Sequence, residues 1–449
     1  MDHALALHRL QFAFTITFHY LFAQLSMGLA LLILLLKTAA RSRGNDYYNQ
    51  AARLWIRVLA LCFVIGVVTG LPMEFQFGTN WAAFSKAAGA VIGQTLAMEG
   101  VFAFFLESTL IGLLLFGEKR LSARAHWMVS LLVWLGTWLS AYFILATNAW
   151  MQHPVGYKLL PGGRAELESL AALLLNPWLG WMFLHNQLGT VVTAGFFMAS
   201  VGAFYLLTGR HQNYARTYLR LGVISAGAAS ILMLFPTGHG QARNVALHQP
   251  AGFAGMEALF QTTQSAPMAV LGQPDVEAAR LDNPVLIPGL LSFLTYGDWN
   301  AEVKGLDAFP RGEWPDQIPL LYYSYRIMIG LGSLFIAVSL VSWYKLARGN
   351  LYRSRSWLWI LMLMAPFPFI ANTAGWMTAE LGRQPWLVYG VMRTAQGASA
   401  QVSSGNALFT IIGFVGLYLL LGMLFLYLLF HEIDRGPGPE VPSGGPQGH

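Results

Sequence analysis

Several side chains that can bind a metal or carry a proton lie inside long apolar stretches of this sequence. Of the eleven histidines, only His19 and His185 fall inside such stretches. The other ionisable residues found there are Glu74, Glu99, Glu107, Glu380 and Arg326. Because a charge is costly in apolar surroundings, a residue of this kind usually marks a cofactor, a proton path or an ion path.

The elements that hold these residues are apolar runs long enough to cross a bilayer, which takes about 20 residues. Of 449 residues, 55% are hydrophobic and only 11% are charged. This composition excludes an ordinary soluble domain and predicts an all-α integral membrane protein. The nine predicted transmembrane helices lie near 10–36, 53–73, 91–116, 126–148, 178–208, 218–236, 320–345, 357–379 and 407–431.

The distribution of basic residues predicts the orientation. More than half of the 27 Lys and Arg residues lie in the connections after spans 1, 3, 5 and 7 or in the C-terminal tail. Positive residues accumulate on the cytoplasmic side of a membrane, so the N-terminus is predicted outside and the C-terminus in the cytoplasm. The net charge of +6 is explained in the same way and indicates no nucleic-acid partner.

Two segments depart from the helical pattern. Residues 237–319, between spans 6 and 7, are rich in Gly, Pro and Gln and are predicted to form a long outer loop. A loop of this length is usually functional or disordered, and its apolar content favours function. Residues 1–435 are predicted to form one domain, and 436–449 a disordered tail. The single cysteine, Cys62, excludes disulfides and cysteine-ligated clusters.

Four potential ligands share one depth. At 1.5 Å per residue, His19, Glu99, His185 and Met328 lie roughly 10–13 Å below the outer ends of four spans, and Glu380 lies near the outer surface. Imidazole, thioether and carboxylate groups all ligate haem iron, and a carboxylate or lone His can leave a position open for a gas. The alternatives are a hydrogen bond between helices for each His and gap filling for Met328.

A second carboxylate suggests a proton path. Glu107 follows Glu99 by eight residues, which in a regular helix places it roughly 12 Å deeper and rotates it by about 80°. Ser108 and Ser140 could extend this path with hydroxyl groups. The alternative is that both serines bond carbonyl groups of their own helices.

Six segments carry a family resemblance. They are RLQFAFTITFHYLFAQLSMGLA, GLPMEFQFGTNW, AMEGVFAFFLEST, TNAWMQHPVG, YRIMIGLG and AGWMTAELGRQPW. In this order they resemble subunit I, the large subunit, of the cytochrome bd quinol oxidases, in the short-loop branch similar to the cyanide-insensitive oxidases. The resemblance covers nearly the whole chain except the tail.

The resemblance implies a terminal oxidase of the bacterial cytoplasmic (inner) membrane. Such an enzyme oxidises ubiquinol or menaquinol at the outer face and reduces O2 to water with cytoplasmic protons, which generates a membrane potential. It also implies a second membrane subunit, joined in some members by a small single-helix subunit.

The resemblance implies three haems. His185 and Met328 match the ligands of a low-spin haem b, with Arg326 close by in sequence. His19, Glu99 and Glu380 match the residues that serve a high-spin haem b and a haem d, or a third haem b in its place; their assignment to individual haems stays open. Residues that match the family's proton channel are Glu107, Ser108 and Ser140.

Further matches lie at the outer side. Arg383 and Trp376 match residues beside the haem pair, where an Arg can bind haem carboxylates; the alternative is a plain Glu380–Arg383 pair at a helix end. In the loop, which matches the quinol-binding loop, Glu257 matches an acid that can accept a quinol proton. The chain departs from the family at Gly252, where a Lys is usual, and lacks a loop acid that His239 could replace.

Two other classes of protein are alternatives to this interpretation. An ion-coupled transporter would have helices broken at mid-bilayer and internal symmetry, and the sequence shows neither. A di-haem b-type electron-transfer subunit without oxygen chemistry would need paired histidine ligands, and two intramembrane histidines are too few for two such haems.

Overall fold

The chain folds into a bundle of long helices, which a computed structural model describes over residues 3–438. Within this part of the chain, nine helical spans are long and apolar enough to cross a membrane, which confirms the predicted number. The spans are span 1 (His3–Arg43), span 2 (Tyr47–Thr79), span 3 (Ala82–Phe116), span 4 (Ala123–Gln152), span 5 (Leu179–Thr208), span 6 (Gln212–His248), span 7 (Ile318–Ala347), span 8 (Arg355–Arg383) and span 9 (Ser404–Arg435). Of the predicted disordered tail, residues 439–449 lie outside the described residues.

The helices extend beyond the apolar runs, because hydropathy marks only the part that matches the bilayer. The largest difference is in span 6, whose helical structure continues to His248. The predicted outer loop of residues 237–319 therefore starts in helical structure, and the connection to span 7 follows His248.

Three spans are interrupted, a feature that the sequence analysis missed. Span 3 becomes a π-helix over Glu99–Phe104. Span 6 does so over Met233–Gly238, where Phe235 leaves the helical region with φ −129° and ψ 114°; the next residue is Pro236, which has no N–H to donate. Span 8 consists of two helices, Arg355–Leu363 and Phe367–Arg383.

The centre of the bundle is span 5, which packs closely against span 6. A Cβ atom at Gly195 would lie 2.8 Å from the backbone nitrogen of Ala226, and one at Gly222 would lie 2.5 Å from the carbonyl oxygen of Gly195. Small residues of this kind allow helix backbones to approach closely in a membrane. The buried rings of Trp55 in span 2 and Tyr218 in span 6 also pack edge to face, with centroids 5.1 Å apart.

The segments between the spans contain short elements. The short helices are Leu170–Leu174, Pro250–Glu257, Leu290–Tyr296 and Thr394–Gly397, with 3-10 turns at Leu306–Ala308, Arg311–Glu313 and Leu351–Arg353. The strands form four antiparallel pairs: Tyr157–Leu159 with Ala165–Leu167, Thr263–Gln264 with Glu302–Val303, Met268–Asp275 with Arg280–Ile287, and Trp386–Val388 with Met392–Arg393. The loop between spans 6 and 7 is therefore ordered, and its helix Pro250–Glu257 is buried over residues 251–257.

Candidate functional site

His19, on span 1, is oriented by a hydroxyl group of span 2. Its Nδ1 lies 3.2 Å from Thr69 Oγ1, and Thr69 already donates its proton to the carbonyl oxygen of Ile65 at 2.8 Å. The Nδ1–H group is then the donor, which leaves the lone pair on Nε2 for a metal. Gly70 gives the ring its space, since a Cβ atom there would lie 2.9 Å from His19 Cε1.

His185, on span 5, is oriented by the π-helical turn of span 6. Its Nδ1 lies 3.2 Å from the carbonyl oxygen of Met233 and 3.4 Å from Thr237 Oγ1. A carbonyl group can only accept, so Nδ1 is the donor and Nε2 carries the lone pair. A backbone partner on one ring nitrogen is typical of a histidine that binds a metal with the other.

Met328, on span 7, lies against a glycine of span 8. A Cβ atom at Gly375 would lie 2.9 Å from Met328 Sδ. The same helix contacts span 5 through Asn372, whose Oδ1 would lie 2.6 Å from a Cβ atom at Gly189. Asn372 and Gly375 are three residues apart, so one face of span 8 lies near both the Met328 sulfur and the turn that follows His185.

Glu99 and Glu107 both face span 4. Ser140 Oγ donates to Glu99 Oε1 at 2.8 Å, and a Cβ atom at Gly136 would lie 3.8 Å from Glu107 Cβ. Ser140 and Gly136 are one helical turn apart, so the two acids lie along one stripe. The expected rotation of about 80° between the acids is therefore wrong, because the intervening π-helical turn accommodates an extra residue and the eight-residue spacing acts like seven, an offset of roughly 20°.

The two serines of the predicted proton path behave differently. Ser140 contacts a carboxylate, as described above. Ser108 Oγ instead donates to the carbonyl oxygen of Phe105 on its own helix at 3.2 Å, and the residue is half-buried. For Ser108 the structure thus has the local backbone bond that the sequence analysis named as the alternative.

Glu380 is held by two donors at the end of span 8. Arg383 Nη2 donates to Glu380 Oε2 at 2.5 Å, and Asn148 Nδ2 donates to Glu380 Oε1 at 2.8 Å. The Arg383 side chain is only 2% exposed, yet its Nε and Nη1 have no hydrogen-bond partner within residues 3–438. Trp376, two turns before Arg383 on this helix, packs against apolar residues of spans 4 and 5.

Glu257, in the loop, forms a buried ion pair with span 7. Arg326 Nη2 donates to Glu257 Oε2 at 2.6 Å, and the two side chains are 9% and 2% exposed. The guanidinium group also lies over the rings of Tyr322 and Tyr325, 4.7 and 5.0 Å from their centroids. Arg326, predicted to lie with the low-spin haem, therefore also fixes the loop acid.

Close packing explains why position 252, where the family usually has Lys, is Gly in this chain. A Cβ atom at this position would lie 2.5 Å from the carbonyl oxygen of Gly382, so any larger residue would push the loop helix off the end of span 8. His239, suggested as a substitute for the missing loop acid, is exposed at the start of the last helical segment of span 6.

A series of hydrogen-bonded amide side chains was not predicted from the sequence, because neutral amides were given no role there. Gln249 Nε2 donates to Gln152 Oε1 at 2.8 Å, Gln152 Nε2 lies 3.5 Å from Asn148 Oδ1, and Asn148 reaches Glu380. These amide side chains connect the start of the loop to Glu380, a predicted iron ligand. Polar residues in the segment TNAWMQ, at the end of span 4, were the available signal.

The chain matches the family described as cytochrome bd terminal oxidase subunit I over residues 7–437. The chain belongs to this family. It is 36% identical to cytochrome bd ubiquinol oxidase subunit 1 of Bacillus subtilis (strain 168), over 96% of this chain and 94% of that protein. It is 33% identical to cytochrome bd-II ubiquinol oxidase subunit 1 of Escherichia coli (strain K12), over 96% of both chains.

The fold agrees with this membership. The structure of bd oxidase from Geobacillus thermodenitrificans matches with a TM-score of 0.91 and 29% identity, over 97% of this chain and 99% of that one. Membership of a terminal oxidase family confirms the predicted enzyme class and removes the transporter interpretation. The broken helices, on which that interpretation would have depended, are thus features of an oxidase subunit.

Haem is the prosthetic group that a cytochrome family implies, and the side chains fit it in two ways. Both His19 and His185 use Nδ1 for a hydrogen bond and keep Nε2 for a metal. Arg383 is a buried cation with two donor atoms that no protein group in the described part of the chain uses, as expected beside the carboxylates of a haem. Within residues 3–438, no group of three His, Cys, Asp or Glu side chains could hold a free metal ion.

Proposed function

We propose that this chain is the haem-bearing large subunit of an oxidase of the bacterial cytoplasmic membrane. It oxidises ubiquinol or menaquinol at the outer face and reduces O2 to water with protons from the cytoplasm. The observation that supports it most is the buried Arg383, with two donors left over beside Glu380. The relatives named as quinol oxidases support the substrate, and one of the similar proteins is named a putative cytochrome bd menaquinol oxidase subunit I.

The predicted ligands divide into two groups. His185 and Met328 would hold a low-spin haem b, because both lie near the face of span 8 that carries Asn372 and Gly375. His19, Glu99 and Glu380 would serve a high-spin haem b and a haem d, or a third haem b in its place. When bound, these groups supply the electron carriers and the iron that reduces oxygen.

The chain's own residues would orient these ligands and move protons. Thr69 and the Met233 carbonyl group fix the two imidazole rings, and Arg383 compensates negative charge next to Glu380. Glu107 would pass protons from the inner side toward Glu99 along the stripe that faces span 4. The contact with Glu99 supports a role for Ser140 in this path, whereas the backbone bond of Ser108 gives that residue no such support.

At the outer face, Glu257 would accept a proton as quinol is oxidised. Its pairing with Arg326 holds the carboxylate in place. Arg326 is two residues from Met328, so the pair connects the quinol side to the helix that carries a predicted haem ligand. Protons released outside and taken up inside would generate a membrane potential.

The partners follow from the family resemblance. A second membrane subunit would complete the oxidase, together with a small single-helix subunit in some members. Span 9 offers a wide outward apolar face, which suits a neighbouring helix as well as lipid. The exposed residues of this face include Phe409, Ile412, Leu419, Leu420 and Phe430.

The test is a difference spectrum of the purified complex, in which the spectrum of the air-oxidised sample is subtracted from that of the dithionite-reduced sample. Carbon monoxide is then added and the spectrum is recorded again. A low-spin b band together with a red-shifted chlorin band that responds to carbon monoxide would support a bd enzyme. Bands of haem b alone, with one responding to carbon monoxide, would support the variant with a third haem b. A preparation without haem would overturn the proposal.

A further inference from the structure

Two histidines outside the predicted haem sites lie side by side at the predicted outer end of the bundle. His153 follows the last residue of span 4, and His248 ends span 6. Their ring centroids are 4.2 Å apart and their planes differ by 39°. Both residues are half-buried. The indole ring of the buried Trp178 covers them on one side, 6.5 Å from the ring of His153 and 6.1 Å from that of His248.

The spacing of the two rings is close to that of a shared metal ion. Two imidazoles bound to one tetrahedral zinc ion at about 2.0–2.1 Å have ring centroids roughly 5 Å apart. The observed distance is shorter by about 1 Å, which rotations of the two side chains can supply. Imidazole is a preferred ligand of Zn²⁺ and Cu²⁺, and water can complete the coordination.

The backbone on both sides of the pair is fixed. Asn176 Nδ2 donates to the carbonyl oxygen of His153 at 2.9 Å. The neighbours Gln152 and Gln249 are buried and joined directly, since Gln249 Nε2 donates to the backbone oxygen and to Oε1 of Gln152, both at 2.8 Å. Such support lowers the cost of ordering the two rings when a ligand binds.

We propose that His153 and His248 form a binding site for a divalent transition metal ion of the zinc and copper class. The bound ion joins the end of span 4 to the start of the loop helix Pro250–Glu257, which carries Glu257. Metal binding therefore slows the movement of this loop. A consequence that rests on the proposed function is that the ion slows quinol oxidation.

The experiment uses the purified oxidase complex without a histidine tag. Binding of Zn²⁺ is measured by equilibrium titration, and Cu²⁺ serves as a spectroscopic probe because electron paramagnetic resonance reports its nitrogen ligands. The variants are His153→Asn and His248→Asn, which keep a polar side chain of similar size. The matched control is His431→Asn, an exposed histidine at the other end of the bundle.

The expected result is that each variant binds Zn²⁺ at least tenfold more weakly at one site and loses one nitrogen ligand from the Cu²⁺ spectrum, whereas His431→Asn does neither. Equal affinity and an unchanged spectrum in both variants would overturn the site. Quinol oxidation is then measured with and without Zn²⁺. Binding without inhibition would overturn the effect on the loop, and binding by a complex that oxidises no quinol would contradict the proposed function alone.

Discussion

The orientations of His19, His185 and Glu380 depend on neighbours that have no redox chemistry of their own. Thr69 and the Met233 carbonyl group decide which nitrogen of His19 and of His185 is free for a metal. Asn148 and Arg383 do the same for the oxygens of Glu380. Loss of such a neighbour should therefore shift the absorption band of the haem, whereas loss of the ligand should remove that band.

Replacement of Met328 by Leu should abolish the low-spin haem b signal and leave the high-spin signals. Leu has a similar volume but no sulfur, so the helix should pack nearly unchanged. The measurement is the reduced-minus-oxidised spectrum of the purified complex. Replacement of Met198, a fully buried methionine of span 5, by Leu serves as the control. A low-spin band that persists in Met328→Leu would show that another residue binds this haem.

Ser140 and Ser108 form a matched pair, because each is a serine within a predicted span but only Ser140 contacts an acid. Ser140→Ala removes the partly buried hydrogen bond to Glu99 and should lower the oxygen consumption rate at least several-fold, since a hydrogen bond to a charged group contributes roughly 1.5–3 kcal/mol. Ser108→Ala removes only a bond to its own helix and should change the rate by less than twofold. Equal effects of the two variants would contradict the role proposed for Ser140.

At the level of elements, the interruptions of spans 3 and 6 position the side chains and the carbonyl group that the proposed function uses. In span 3 the π-helical turn keeps Glu99 and Glu107 on the side that faces span 4. In span 6 the turn directs the Met233 carbonyl group at His185. A regular helix would direct this carbonyl group along its own axis, into a bond with a residue four positions later.

Close contact between spans 7 and 8 should be sensitive to a single methyl group. In Gly375→Ala the new Cβ atom would lie 2.9 Å from Met328 Sδ, so the sulfur must move, and the low-spin spectrum should shift while the protein still folds. Gly330→Ala, on the helix of Met328, is the control, because its Cβ atom would have no neighbour within 4 Å. Alanine also favours a helix by roughly 1 kcal/mol over glycine. Identical spectra for both variants would show that Met328 is not confined by span 8.

At the level of the whole molecule, the outer loop is attached to the bundle at a few buried contacts. The pair of Glu257 with Arg326 is the strongest of these in electrostatic terms, because both side chains are almost fully buried. Gly252 brings the loop helix onto the end of span 8. The loop is therefore part of the folded body, and its chemistry is coupled to that of the helices.

Glu257→Ala should loosen the loop, because it leaves the buried charge of Arg326 uncompensated at a cost of roughly 3–5 kcal/mol. The expected result is much faster proteolytic cleavage between spans 6 and 7 than in the unchanged protein. Glu277→Ala, at an exposed position of the same loop, should leave the cleavage rate unchanged. Slow cleavage in both variants would mean that the ion pair does not hold the loop.

Much of this architecture could be predicted from the sequence, since span number depends on hydropathy alone and the predicted ligands are rare residues in apolar runs. The π-helical turns could not, because a bend near Pro236 has a local cause but the turn at Glu99 has no proline or other marker. The role of Asn148 and Gln249 was missed because neutral amides carry no charge to draw attention. The clash that explains Gly252 depends on a neighbour 130 residues away in sequence, Gly382.

The π-helical turn of span 3 also affects whether the gene can lose a codon in this segment. A gene that loses one codon between those for Glu99 and Glu107 still encodes a span, because the turn contains one residue more than an α-helix needs. The shortened helix would be regular and seven residues would separate the two acids, so both would still face span 4. A chain one residue shorter in this turn would therefore keep both carboxylates on the side that faces span 4.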